Sequence, residues 1–463
     1  MTDLHWMSAT ALHTAYAAHT LSPVEVVTAL LARIETQDPH LNAFIQLDAE
    51  TALAAAKQAE SEITAGRIRG PLHGVPIGVK DIIDVAGLPT TCHSKILLGN
   101  IAKTDAQAVH RLRAAGAIVM GKLSTHEFAI GGPCFDLPFP PARNPWNRDH
   151  HPGGSSSGSG AGLAAGLFPL ALGTDTGGSV RHPASACGIS GLKPTYGLVS
   201  RRGVFPLSFT LDHIGPMART AADAALLLDA IADHDPQDPG STPAPAARYT
   251  KHLGMSLKGL RIGYVTHFHD TDLVADPEVG AALDATAATL QAEGAVITPI
   301  TLPKLRDFIA VNRTILGAEA WSIHAPWLRT RPGDYAQATR RRLMVGAFLS
   351  AGDHVAAQRR RAQLIAAVDD ALATCDILLT ASSLDPAARI DDWPEVERTY
   401  GRQARMPFNV TGHPAISILS GFNRAGLPLS AQLVGRAWAD AKVLGAADAY
   451  ERAAGWTGRR PSL

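Results

Sequence analysis

Between Gly153 and Thr195 the chain reads GGSSSGSGAGLAAGLFPLALGTDTGGSVRHPASACGISGLKPT, with serine and glycine crowding both ends of an apolar run. Serine hydroxyls set against exposed backbone N–H groups are the raw material of nucleophilic attack on a carbonyl. The hydroxyl attacks, and the N–H groups hold the oxyanion that forms. The apolar interior separates this stretch from a flexible Gly/Ser linker, which carries none.

Three motif readings compete for it. A phosphate-cradling loop needs GxxxxGK[ST], and no Gly-Lys-Ser/Thr occurs; a dinucleotide fingerprint from Gly158 would need glycine at position 163, which is Leu163. A nucleophile elbow is formally matched by Gly154-Ser155-Ser156-Ser157-Gly158. That motif works on a turn between a strand and a helix, and the preceding ArgAspHisHisPro at 148–152 does not read as a buried strand. The third reading takes Gly177-Gly178-Ser179 as the nucleophile turn, with an apolar strand from Phe168 to Gly173 leading into it. An ordinary glycine turn at a strand end is its equal alternative. His150 and His151 read as loop residues facing solvent rather than metal ligands.

The elements that must position these groups alternate between helix and strand. Ser22-Pro23-Val24-Glu25 is a capping box opening a helix, and further helices are expected at 48–63, 106–115 and 277–293. Strands are expected at 75–79, ending on Lys80, and at 117–120, 260–265, 376–380, 415–419 and 429–435. The fold class is therefore α/β, with a central mixed sheet covered by helices. The proline-rich stretch at 235–247 reads as a surface loop, and with apolar strands on both sides of it, residues 1–463 are expected to form a single domain.

Bulk properties narrow the class. The chain is 46% apolar and 18% charged, which suits a globular protein with a substantial core. Forty-two basic residues balance 42 acidic ones, so no basic field is available to hold nucleic acid, and the arginine runs at 340–342 and 359–361 read as solvated helix faces. Four scattered cysteines without CxxC spacing argue against structural zinc and a disulfide framework. No signal peptide and no run of about 18 apolar residues is visible, so a cytoplasmic location is expected.

Taken whole, the pattern resembles the amidase signature family, serine amidohydrolases with a Ser-cisSer-Lys triad. The matching stretches are GVPIGVKDIIDVAGLPTTCHS at 74–94, RNPWN at 143–147, GGSSSGSGAG at 153–162, LGTDTGGSVRHPASACGISGLKPT at 172–195, RRGVFPLSFTLDHIGPMART at 201–220 and NVTGHPAISI at 409–418. The resemblance implies that Ser179 is the nucleophile, Ser155 the bridging serine after a cis peptide at Gly154–Ser155, and Lys80 the general base. It implies an oxyanion hole from the N–H groups of Thr176, Gly177, Gly178 and Ser179. Asp175 and Arg181 match positions that brace the nucleophile turn, Ser156 falls in the same polar network, and Lys193 matches a position with a structural role. No metal or organic cofactor is needed.

The implied reaction is hydrolysis of a linear amide-type C–N bond, extending to carbamates, esters or biuret-like substrates, in a small-molecule substrate. Two alternatives stand beside it: the A subunit of a glutamine-dependent tRNA amidotransferase, and a partner-dependent or inactive scaffold subunit. The resemblance leaves both a homodimer and a small accessory chain open. One departure bears on this choice. Amidotransferase A subunits usually carry a Ser/Thr/Glu/Asn-rich segment where this chain has GGPCFDLPFPP at 131–141. That apolar replacement makes Phe135, Leu137 and Phe139 candidate walls of a differently shaped pocket, with a rigid surface loop as the equal alternative.

Overall fold

In the computed structural model, which describes residues 3–243 and 247–463, the apolar runs assemble into one eleven-stranded sheet. The strands are β1 (Phe44–Leu47), β2 (Pro76–Lys80), β3 (Ile118–Leu123), β4 (Leu170–Asp175), β5 (Ser190–Lys193), β6 (His213–Ala218), β7 (Arg261–Tyr264), β8 (Val296–Pro299), β9 (Ile377–Ala381), β10 (Ala415–Phe422) and β11 (Pro428–Val434). Their order across the sheet is β1-β3-β2-β4-β6-β5-β10-β11-β9-β7-β8. The sheet is mixed: β2 runs parallel to β3 and β4, whereas β6 is antiparallel to β4 and β5.

Every residue of β2, β3, β4 and β11 is buried. Successive side chains of a strand point to opposite faces, so a strand buried at every position is covered on both. The covering helices include Ser157–Ala164 against β2, β3 and β4, Ala221–Ile231 against β4, β5 and β6, and Asp440–Ala454 against β10 and β11. The expected capping box forms: the Ser22 N–H donates to Glu25 Oε2 at 2.8 Å and the Val24 N–H to Ser22 Oγ at 3.0 Å, opening the helix Pro23–Leu41.

Strands on both sides of the 235–247 loop join the same sheet. Residues 244–246 of that loop lie outside the described residues. Its start is less free than its composition suggests, since Asp235 and Asp238 are buried and held by Arg202 and Arg201. No helix of the described residues is long and apolar enough to cross a membrane.

For the site, the decisive contact is β2 beside β4. They run parallel in the register Ile77↔Leu170 and Val79↔Leu172, so their carboxyl ends emerge together. Lys80 closes one strand and Thr174-Asp175 the other, at the end of a parallel pair where ligands of α/β sheets usually bind.

Candidate active site

Lys80 is fully buried, and its Nζ donates to Ser155 Oγ at 2.7 Å and to Thr174 Oγ1 at 2.8 Å. Both partners are hydroxyls, so no carboxylate neutralises the ammonium directly. Burial strips its hydration and lowers the pKa to about 7, against the opposing pull of Asp175 and Asp212. A lysine so placed is neutral often enough near pH 7 to accept a proton.

Ser155 follows a cis peptide at Gly154–Ser155. A Cβ on Gly154 would fall 2.1 Å from His126 Cε1, so only glycine lets the buried imidazole pack there. The Ser155 carbonyl accepts the His126 N–H at 3.0 Å and the Ser157 N–H at 2.8 Å, which ties the segment to the end of β3. The helix Ser157–Ala164 starts immediately afterwards.

Ser179 sits in the loop that leaves β4. The Asp175 carboxylate organises that loop from within, accepting the N–H groups of Gly178 at 2.8 Å and Val180 at 3.1 Å. Arg181 reaches the same carboxylate through Nε at 3.0 Å and Nη2 at 2.9 Å, and Asn409 Nδ2 donates to it at 2.8 Å. Burial alone would raise the Asp175 pKa, but the Arg181 guanidinium and these hydrogen bonds hold it well below the carboxylate range. Gly178 adopts φ +121°, and a Cβ there would meet Arg405 Nε at 2.6 Å.

This geometry corrects one member of the implied oxyanion set. The Gly178 N–H is engaged by Asp175 and is not free for an oxyanion. The N–H groups of Thr176, Gly177 and Ser179 make no hydrogen bond among the described residues. No hydrogen bond links Ser155 Oγ to Ser179 Oγ either. The two segments meet through the backbone, the Ser156 N–H donating to the Ser179 carbonyl at 3.2 Å.

Ser156 Oγ turns to β4, accepting the Thr174 N–H at 3.2 Å and donating to the Thr174 carbonyl at 3.3 Å. Lys193 is buried away from the cavity, its Nζ donating to the Pro194 carbonyl at 2.9 Å with His213 Nε2 at 3.2 Å. Thr176 Oγ1 donates to Asp212 Oδ1 at 2.6 Å, and burial raises the Asp212 carboxyl to about 6.

A cavity of about 450 Å³ opens onto Thr176, Gly177 and Ser179. Ile130, Leu316 and Met406 give it apolar walls, and Asn312, Arg342 and Gln403 give it polar ones. Phe135, Leu137 and Phe139 are not among them. Only residues 135–140 of the 131–141 segment reach the surface, between buried ends: Phe135 is 58% exposed, the Phe139 ring packs edge-on against the buried His93, and Asp136 Oδ2 accepts the Gln337 N–H at 3.0 Å.

Two other expectations are corrected. His151 is buried rather than solvated, its Nδ1 accepting the Gly153 N–H at 2.9 Å just before Ser155. The arginine runs are not uniformly solvated. Arg342 turns to the cavity and donates to the Ile130 and Gly131 carbonyls, and Arg361 donates to the Val410 and Thr210 carbonyls. Among the described residues no group of three or more His, Cys, Asp or Glu side chains could hold a metal. Thr174, Asn312 and Gln403 are site residues that reading the sequence did not single out. Thr174 lay inside a quoted motif; the other two carried no signal.

The family model described as Amidase matches residues 25–444. The A subunit of the glutamyl-tRNA(Gln) amidotransferase of Chloroflexus aggregans is 39% identical over 490 aligned residues, covering 100% of this chain and 99% of that protein. Among solved structures, a chain from a vestigial protein complex that reveals the evolutionary origins of an s-triazine catabolic enzyme superposes with a TM-score of 0.91 at 32% identity, covering 99% of this chain and 100% of that one. The native peptide amidase of Stenotrophomonas maltophilia superposes with a TM-score of 0.86 at 31% identity, covering 99% and 98%. With these matches running nearly end to end, the chain belongs to the amidase signature family and is an enzyme of the amidase class.

Proposed function

We propose that the chain splits an amide C–N bond through a serine acyl-enzyme, with Ser179 as nucleophile, Ser155 as proton relay and Lys80 as base. The observation that carries this reading is the 2.7 Å contact between a fully buried lysine and Ser155 Oγ, beside a cavity that opens onto Ser179. As Ser179 Oγ attacks the carbonyl carbon, its proton passes to Ser155 and the Ser155 proton to neutral Lys80 Nζ. The oxyanion is held by the N–H groups of Thr176, Gly177 and Ser179. When the C–N bond breaks, Lys80 returns the proton through Ser155 to the leaving nitrogen. A second nucleophile, water or an acceptor amine, then resolves the ester by the same route.

The setting of this chemistry is a separate matter. The name of the Chloroflexus aggregans relative, at 39% identity over the full length, supports the amidotransferase role over a stand-alone amidohydrolase. In that setting glutamine is the amide, partner subunits complete the enzyme, and the ammonia released is destined for a charged tRNA. The stand-alone reading, on small linear amides, is supported by the fit to peptide amidase and by the apolar 131–141 segment.

One experiment separates them. The purified chain is assayed alone on a panel of amides, carbamates and ureas, and then with glutamine, charged tRNA and amidotransferase partner subunits. Turnover confined to the second arm supports the amidotransferase reading, and amine release by the chain alone supports the hydrolase. In either arm Ser179→Ala abolishes turnover; full activity in that variant would overturn the assignment.

A further inference from the structure

We infer that His182 is a positioning residue that holds the turn at Ser155 in register with the turn at Ser179. The inference rests on the reading of Ser179 as nucleophile and Ser155 as its proton relay. A relay needs the two hydroxyls aligned, yet among the described residues Ser155 Oγ is joined to Lys80 Nζ and not to Ser179 Oγ. His182 is buried and lies in the first turn of the helix Arg181–Cys187. Its backbone N–H donates to the Gly178 carbonyl at 2.6 Å, one residue before Ser179. Its imidazole Nδ1 accepts the Gly154 N–H at 3.3 Å, one residue before Ser155. One residue thus holds both glycine turns, one by its main chain and the other by its side chain.

The turn at Ser155 is shaped to lie against this residue. A Cβ on Gly153 would fall 2.8 Å from the His182 carbonyl oxygen and 2.7 Å from Pro183 Cα, so only glycine allows the contact. The Gly154 N–H is buried and makes no backbone hydrogen bond among the described residues, which leaves His182 Nδ1 as its acceptor. On the other side of Ser155, the Ser156 N–H donates to the Ser179 carbonyl at 3.2 Å. Ser155 is therefore pinned from both neighbours, and only the Gly154 pin runs through a side chain.

Accepting through Nδ1 requires a neutral ring that carries its proton on Nε2. The surroundings keep it neutral. The ring packs edge-on against His151 and Tyr400, with centroids 5.5 Å and 5.6 Å away. Burial, with the Arg405 cation, His151 and His126 close by, pushes His182 well below the usual imidazole range.

Substitutions at 182 in the full chain test this. His182→Phe keeps a ring and loses the acceptor, whereas His182→Asn loses the ring and keeps an acceptor near the Nδ1 position. His182→Leu replaces the first should it not fold. A fluorophosphonate probe reads Ser179 without a chosen amide: the Oγ–P bond forms, fluoride leaves, and the serine proton passes through Ser155 to Lys80. Mass spectrometry follows the adduct on Ser179. His182→Phe is expected to slow labelling by about 10–100-fold, the scale of a displaced reacting group, and His182→Asn to recover most of that loss. Placed in Ser155→Ala, His182→Phe should cost less than about twofold, because the relay it positions is gone. Hydrogen exchange of the 154–156 amides reads the same hold without any reaction at Ser179. It should accelerate in His182→Phe and slow again in His182→Asn. Equal losses in His182→Phe and His182→Asn, or an undiminished loss in Ser155→Ala, would make His182 a packing residue and overturn the inference. So would wild-type labelling rates in His182→Phe. A wild-type Ser179 that resists the probe, with exchange still responding at 154–156, would instead sink the serine reading and leave the hold on the turn standing.

Discussion

Two lysines sit at the ends of neighbouring parallel strands, both fully buried, and the chain uses them in opposite ways. Lys122 in β3 is paired in register with Val79, one residue before Lys80 in β2. Lys122 Nζ meets the Asp81 carboxylate at 2.9 Å, the Pro89 carbonyl at 2.9 Å and Thr90 Oγ1 at 2.9 Å. Burial pushes the Asp81 carboxyl up, and the Lys122 ammonium is the leading force pulling it back. Lys80 Nζ meets two hydroxyls and no carboxylate. Equal burial thus gives an ion pair in one place and, in the proposed mechanism, a proton acceptor in the other. Partner chemistry, not depth, decides which buried lysine is held as a paired ammonium and which is free of a carboxylate partner.

The contrast is tested most severely by exchanging each lysine for methionine. Lys80→Met is expected to cost on the order of 10³–10⁴-fold in kcat, the scale of a positioned acid–base group, in a steady-state amide assay. Folding stability should not fall. Lys80 binds its proton more weakly folded than unfolded, so at neutral pH its burial opposes folding, and methionine relieves that opposition. A Lys80→Met protein that unfolds readily but retains kcat would reverse the roles assigned to the two strands.

Lys122→Met should show the converse. It leaves Asp81 buried without its cation, and breaking a buried pair from one side typically costs about 3–5 kcal/mol. Denaturant unfolding should register this loss, while the folded fraction keeps its turnover. Loss of turnover with unchanged stability would mean that Lys122 acts on the reaction.

Much of this contrast was legible in sequence only at one end. Lys80 closes an apolar run, and Gly177-Gly178-Ser179 follows a strand, so both reactive ends could be placed at strand termini. The Lys80–Ser155 contact, across 75 residues, was legible only through the family resemblance, while the carboxylate partner of Lys122 and the Thr174 hydroxyl, 94 residues from Lys80 and brought to it by the β2–β4 register, were not legible at all. Asn312 is further still, 136 residues from the Thr176 carbonyl it holds, on a helix whose cavity-facing side depends on how it docks. Phe135, Leu137 and Phe139 misled for the opposite reason: apolar composition says that a segment seeks cover, not which side it turns to. Asp136 holds theirs to the Gln337 N–H and the Phe139 carbonyl to the buried His93, away from the cavity lining.

A pH profile refines the contrast without mutation. Lys80 must be neutral to accept the Ser155 proton, and its pKa is lowered to about 7. Activity is therefore expected to fall by about tenfold per pH unit below that value and to level off above it. A profile flat from pH 5 to 9 would remove Lys80 from the proton path.

Thr174→Val probes the smallest difference, a single hydroxyl. Thr174 Oγ1 accepts from Lys80 Nζ at 2.8 Å, and in the ammonium state that bond favours the charged form. Valine keeps the shape and removes the acceptor, so the ammonium loses one of its two partners and the pKa drops further. A hydrogen bond to a charged group is worth about 1.5–3 kcal/mol, and a pKa unit is about 1.4 kcal/mol. The midpoint of the pH profile should therefore move down by on the order of one unit. The plateau rate should fall as well, because Lys80 Nζ is then held toward Ser155 by a single hydrogen bond. A lower plateau with an unmoved midpoint would make Thr174 a positioning group alone. An upward shift would mean that the hydroxyl donates to the neutral amine, and that Lys80 owes its depressed pKa in part to Thr174 as well as to burial.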